Sequence, residues 1–265
     1  MDAARAERTQ TTPRRFTFAD GLEVNRIGLG TMRLTGQPGN FGPYPEWDDG
    51  IALLRRAVDL GVDFFDSAWS YGPQHADRLV GEALEGRDVV VATKGGIDKL
   101  APDKIVLDGS PATLSQQIDG ARANLRRGRI DLFQLHRPDP EVEIERSVEA
   151  LAAAQADGRV RHIGLSNVSL EQVERALTVA PIASVQNRYN MADTEGDDLV
   201  DFTAERGIAF VPHGPLGANP MKHGATLKPA EAIVWLLGRS PNILVISGTT
   251  SIAHLEENVA VWNLV

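Results

Sequence analysis

A closed parallel (β/α)₈ barrel, the TIM-barrel class, is predicted by three observations. Eight short apolar runs are each followed by a stretch of helical periodicity. Those runs are apolar almost throughout, as strands covered on both faces are. The chain has 265 residues with no internal repeat, low-complexity segment or dividing linker, a usual size for a one-domain barrel. A doubly wound sheet is the competitor. "GLGTMR" (Gly28 to Arg33) lacks the third glycine of a dinucleotide fingerprint, so nothing favours it.

The elements follow in order. "MDAARAERTQTTPRR" has no apolar core for a signal peptide, and residues 1–14 are expected to form a flexible tail ahead of a single domain over 15–265. Arg15 to Val24 alternates around Asp20-Gly21 and reads as a β-hairpin that plugs the N-terminal face of the barrel. The strands are "RIGLGTM", "VDFFDSA", "DVVVATK", "DLFQLH", "RHIGLSN", "ASVQN", "GIAFVPH" and "ILVIS". The first helix spaces Ile51, Leu54 and Val58 on one face and stops at Gly61. Ser110 followed by Pro111 starts another, Ser169 and Ser251 start two more, and Gly158 ends a fifth.

Composition removes several functions. A net charge of -9 argues against a nucleic-acid partner held by phosphate contacts. The absence of cysteine excludes disulfides, thiolate metal sites and a cysteine nucleophile. Six histidines without an HExxH pairing give no metal pattern. Apolar runs such as "AIVWLL" fall far short of the roughly 20 residues that span a bilayer. A soluble, cytoplasmic protein with no membrane partner is expected; the oligomeric state is not legible.

Function in such barrels sits at the C-terminal ends of the strands. The second strand ends at Asp66, with Tyr71 just beyond; the third ends at Lys94 and the fourth at His136. Each alone has an ordinary reading as a cap, a loop charge, a core histidine or packing. Together they suit proton transfer to a carbonyl oxygen. An ammonium near a phenol favours phenolate, a carboxylate can hold that ammonium, and an imidazole can orient the substrate. None of the four stores two electrons, so a hydride must come from a cofactor.

"DSAWSYG", "VATKGG", "LHRPDP", "GRVRHIGLSN" and "SVQNRYN" stand in the order and at the spacing of the aldo-keto reductase family, which the chain resembles from about Phe16 to Trp262. "SPNILVISGTTSIAHLEENVA" is similar to bacterial members that include pyridoxal reductases. The resemblance implies a catalytic tetrad of Asp66, Tyr71, Lys94 and His136, with Tyr71 as general acid. It implies that Ser166, Asn167 and Gln186 bind the nicotinamide carboxamide, that Gly30, Thr31 and Met32 flank its ribose, and that His213 stands where an aromatic stacks. Gly248, Thr249, Thr250 and His254 match the cofactor phosphate segment, and Glu257 and Asn258 the adenine contacts. Phe41, Tyr44, Trp47 and Trp69 are candidate substrate walls.

The chain departs from that family in three places. "PLGANPMKHGATLKPAEAIVWLL" is short after the seventh strand, no long C-terminal loop is expected, and Gly248 and His254 stand where NADPH-preferring members often carry Lys and Arg. The expected activity is NADPH-dependent reduction of an aldehyde or ketone, a small-molecule carbonyl substrate, with NADH open as a second donor. Two other functions stay open at this point: a cofactor-binding regulatory or redox-sensor barrel, and a non-redox lyase or isomerase using the same rim.

Overall fold

A computed structural model describes residues 12–217 and 227–265. The chain begins with a hairpin, β1 (Arg15–Thr17) and β2 (Glu23–Asn25). Barrel strand β3 (Ile27–Gly30) leads to helix α1 (Trp47–Asp59), β4 (Phe64–Asp66) to α2 (His75–Ala83), and β5 (Val90–Gly95) to a second hairpin, β6 (Ile97–Ala101) and β7 (Lys104–Leu107). Then come α3 (Pro111–Asn124), β8 (Ile130–Leu135), α4 (Ile144–Ala156), β9 (Val160–Ser166), α5 (Leu170–Leu177) and β10 (Ser184–Gln186). The last units are α6 (Asp197–Glu205), β11 (Ala209–Phe210), α7 (Pro229–Arg239), β12 (Val245–Ile246) and α8 (Ile252–Ala260).

The parallel sheet runs β11-β10-β9-β8-β5-β4-β3-β12. It closes where Phe210 N donates to Asn242 O at 2.9 Å and Leu244 N donates to Phe210 O at 2.8 Å. Closure leaves the barrel with no open edge. The caps that frame the helices act as the sequence implies. Ser110 Oγ accepts from Thr113 N ahead of Pro111, and Ser169 forms a reciprocal capping box with Gln172.

Strand alternation divides the core into two regions. Outward-facing residues such as Leu29, Phe65, Val91 and Phe133 pack under the helices. Inward-facing Phe64, Val90, Leu132, Ala209 and Leu244 form an apolar lower layer, closed from below by Phe16, Phe18 and Val24 of the hairpin. Phe18 also stacks on His162, with ring centroids 5.1 Å apart. Higher on the same inward rows the residues turn polar: Asp66, Lys94, Gln134, Ser166 and Gln186, all buried. That change positions the site.

Pro13 and Arg14, the last residues of the expected tail, are hydrogen-bonded to the barrel: Arg26 donates through Nη1 to Pro13 O at 2.9 Å and through its backbone N to Arg14 O at 2.9 Å, and Arg14 Nη2 donates to Trp262 O at 3.2 Å. Residues 1–11, the rest of the expected tail, and residues 218–226 of the short segment after the seventh barrel strand lie outside the described residues. The hairpin β6–β7 was missed on the sequence, although Pro102-Asp103 marks its turn. It stands on the rim, with Leu100, Ile105 and Val106 exposed.

Arg26 is fully buried and donates to backbone carbonyls of Leu237, Ser240, Ile243 and Pro13. Burial pushes its guanidinium down to about 10. It ties β3 to the loop between α7 and β12, where the barrel closes. Arg26→Met orphans these acceptors, and a loss of roughly 3 kcal/mol or more is expected in denaturant unfolding. A loss below about 0.5 kcal/mol, the usual range for a surface change, would show that the carbonyls find other partners.

Candidate active site

Asp66, Lys94 and their neighbours meet because of strand register. Gly30 pairs with Asp66, Asp66 with Ala92, and Lys94, two residues above Ala92, with Gln134. Asp66 and Lys94 therefore rise on the same inward face, one layer apart. Lys94 Nζ donates to Asp66 Oδ2 at 2.6 Å, to Ser67 O at 2.8 Å and to Tyr71 Oη at 3.4 Å. The remaining carboxylate oxygen, Asp66 Oδ1, accepts from Gln186 Nε2 at 2.8 Å and Gln134 Nε2 at 3.4 Å. Tyr71 meets His136 edge-on, centroids 5.8 Å apart, and Ser70 Oγ lies 3.3 Å from His136 Nδ1.

The electrostatics follow from this geometry. Tyr71 is pushed above its ordinary value, first by burial; Lys94 pulls it down without overcoming that. The expected pull of Lys94 is present, but the net direction is up, because desolvation of a phenolate outweighs one ammonium already shared with Asp66. Burial alone would lower Lys94, yet Asp66 and Tyr71 together raise it. His136 is held well below its ordinary value by burial, with Lys94, His213 and Arg137 adding to the effect. At neutral pH the phenol is protonated, the lysine is an ammonium and the imidazole is neutral.

Above these residues opens a cleft of about 530 Å³. Its walls include Gly30, Thr31, Met32, Asp66, Tyr71, His136, Ser166, Asn167, Gln186, His213 and Gly248, with Lys94 hidden behind. Asn167, in the left-handed region at φ 57, turns its side chain between three neighbours. Its Nδ2 donates to His136 O and Ser166 Oγ, both at 3.0 Å, and its Oδ1 lies 3.1 Å from His213 Nε2. His213 is driven down to about 4, mainly by burial. Gly30 and Gly248 face each other across β3 and β12; a Cβ on Gly248 would lie 2.9 Å from Gly30 O. Nearby, Thr249 Oγ1 accepts from Ser251 N, and Ser251 caps α8. Thr250, His254 and Glu257 are exposed and Asn258 is buried; these residues and Thr249 stand outside the cleft wall.

The four aromatics expected as substrate walls do not line the cleft. Trp69 sends its indole N–H to Asp98 Oδ1 at 2.9 Å and lays its ring over Gly120 of α3. Trp47 opens α1 and faces Glu82, its indole N–H 3.4 Å from Oε2. Tyr44 packs against Gly50, and Phe41 pairs with Gly72 through its backbone while its side chain is 37% exposed. Both indole donors thus have partners, and Tyr44 is packed.

Several site residues were missed on the sequence. Ser247 lines the cleft with a buried hydroxyl that has no partner among the described residues. Its place in "ILVISGTT", on the last strand's exit, was the available signal. Asp77 of α2 is buried, accepts from Thr93 Oγ1 at 3.0 Å, and is raised to about 6 by burial. Its helical position gave no hint that it faces the barrel. Among the described residues there is no His, Cys, Asp and Glu cluster able to hold a metal, and no helix long and apolar enough to cross a membrane.

An eight-stranded parallel barrel whose rim carries an Asp–Lys–Tyr–His constellation defines a class of oxidoreductase scaffold. The chain belongs to the aldo/keto reductase family, whose profile matches residues 26–231. It is 39% identical to pyridoxine 4-dehydrogenase of Escherichia coli over 94% of this chain and 93% of that one. It is 36% identical to an uncharacterized oxidoreductase of Schizosaccharomyces pombe, over 90% and 81%. Among solved structures, a glycerol dehydrogenase from Gluconobacter oxydans superposes with a TM-score of 0.84 at 23% identity, covering 94% of this chain and 90% of that one. An aldo/keto reductase from Klebsiella pneumoniae in complex with NADP and acetate gives 0.78 at 22% identity, covering 95% and 90%.

Proposed function

We propose that the protein reduces an aldehyde or ketone to an alcohol with NADPH, Tyr71 supplying the proton. The observation that carries this is the Lys94 ammonium bonded at once to Asp66 and Tyr71 beneath an open cleft. The cleft residues fit a nicotinamide dinucleotide. Ser247 offers an unpartnered buried hydroxyl, the paired glycines leave room at the β3 and β12 exits, and the α8 N-terminus favours a phosphate nearby. Gly30, Thr31, Met32, Ser166, Asn167, Gln186, His213 and Gly248 would hold its nicotinamide end, and Thr249, Thr250, His254, Glu257 and Asn258 its phosphate and adenine end. When bound, NADPH supplies the hydride that reduces the carbonyl carbon.

The chain's own residues handle the proton. Tyr71, kept protonated by burial, donates to the carbonyl oxygen as negative charge grows there. Lys94 offsets the charge left on the phenolate, and Asp66 keeps Lys94 in place. Neutral His136 orients the substrate oxygen without competing as an acid. Gln186 joins the cofactor side to the proton-handling side, since it lines the cleft and bonds Asp66.

The test is a fluorescence titration with NADPH and NADH, followed by simple aldehydes and loss of reduced-nicotinamide absorbance. Binding with turnover is expected. Binding without turnover on any carbonyl would favour a sensor, and no binding would favour a non-redox reaction.

A further inference from the structure

We infer that the carbonyl substrate carries an anionic group, a carboxylate or a phosphate, and that Arg137 anchors it. The inference rests on the reductive reading above and narrows its substrate.

The chain has a net charge of -9, yet its cleft is lined by Arg33, Arg137 and Arg188. The one carboxylate in that wall, Asp66, is already matched by Lys94. The cleft is thus cationic on an acidic protein, the arrangement that concentrates an anion.

The three arginines differ in position. Arg33 lies beside Gly248, where a Cβ would come within 3.9 Å of its Cγ. That is the side assigned to the cofactor phosphates, which account for Arg33. Arg137 follows β8, four strands from β12 in either direction around the barrel, so it stands across the cleft. Among the described residues it is exposed and makes no hydrogen bond or ion pair. By contrast, Arg159, Arg175 and Arg239 each reach two carboxylates. Arg188, after β10, is held through Nε by Asp193 at 2.7 Å, which leaves its terminal amino groups available as a second cation. Arg137 helps depress both His136 and His213, and Arg188 helps depress His213, so both charges act on the same space above Tyr71.

A guanidinium next to the residue that orients the carbonyl can bind an anionic group on the same small molecule, and its planar fork matches carboxylate and phosphate alike. The reducible carbon is then fixed at two points, which favours a productive geometry.

The experiment compares 4-carboxybenzaldehyde, 4-formylphenyl phosphate and methyl 4-formylbenzoate with NADPH and the full chain. One or both anions should exceed the neutral ester in kcat/KM by on the order of tenfold, the scale of one charge-assisted hydrogen bond. Which anion leads separates the carboxylate from the phosphate. Arg137→Met should bring that ratio toward one, chiefly through KM, and Arg137→Lys should restore part of it. Benzoate and phenyl phosphate binding to the NADPH complex, followed by calorimetry, gives a readout independent of turnover. Equal kcat/KM for anions and ester, or a preference that survives Arg137→Met, overturns the proposal. If no aldehyde is reduced but an anion binds in an Arg137-dependent way, the reductase reading fails and the anion site stands. If neither anion binds, the anion site fails.

Discussion

Tyr71→Phe is expected to lower kcat by about 10²–10⁴-fold, the usual cost of losing a general acid. The substitution keeps the ring and its edge-on contact with His136, and removes only the hydroxyl near Lys94. The fold should be retained, because among the described residues that hydroxyl makes one long bond, at 3.4 Å. Single-turnover kinetics with saturating NADPH isolates the chemical step. The melting temperature of the variant, measured alongside, separates lost chemistry from lost structure. Turnover within a few-fold of wild type would remove Tyr71 as the acid.

Lys94→Met is expected to damage stability and activity together. Lys94 is fully buried and Asp66 nearly so, at 2.6 Å. Removing one member strands the other charge, which costs about 3–5 kcal/mol. Because the folded-state value of Lys94 lies above its ordinary one, its stabilisation is complete at neutral pH and is lost only as pH rises through that raised value. The Asp66→Asn, Lys94→Met double variant should therefore recover most of the stability and none of the activity. Denaturant unfolding of both variants makes the comparison. A loss under about 1 kcal/mol in the single variant would mean that water reaches Asp66 as it does a surface pair. In the single variant the pH at which Tyr71 ionises should also move up, since the downward pull of Lys94 is gone.

The barrel was legible because period and punctuation agreed. Strand-ending Asp66, Lys94 and His136 stood at the exits of apolar runs, and Ser110-Pro111 and Ser169 marked helix starts that the caps reproduce. What was not legible depends on distant partners. Trp69 looked like a pocket wall until Asp98, on a hairpin that was not anticipated, took its indole N–H. Gln186 sits in a motif associated with the nicotinamide, yet in this chain its amide also holds Asp66, a pairing 120 positions apart in sequence. The net direction of Tyr71 needed the balance of desolvation against one shared ammonium, and local sequence carries no measure of desolvation. Arg137 was visible inside "LHRPDP", but its lack of a partner among the described residues is a property of the assembled rim.

The N-terminal hairpin has a consequence at the far end of the barrel. Phe16, Phe18 and Val24 close the bottom of the same inward rows whose tops carry Asp66 and Lys94. The hairpin therefore works as a dielectric seal, shielding the ion pair from solvent on that side. How strongly Lys94 acts on Tyr71 depends on that dryness, because a charge in a low-dielectric interior reaches further than the same charge in water. Residues that never meet a substrate would thus help set the acidity of Tyr71, the proposed proton donor, and loosening the seal would appear first as a displaced pH–rate profile.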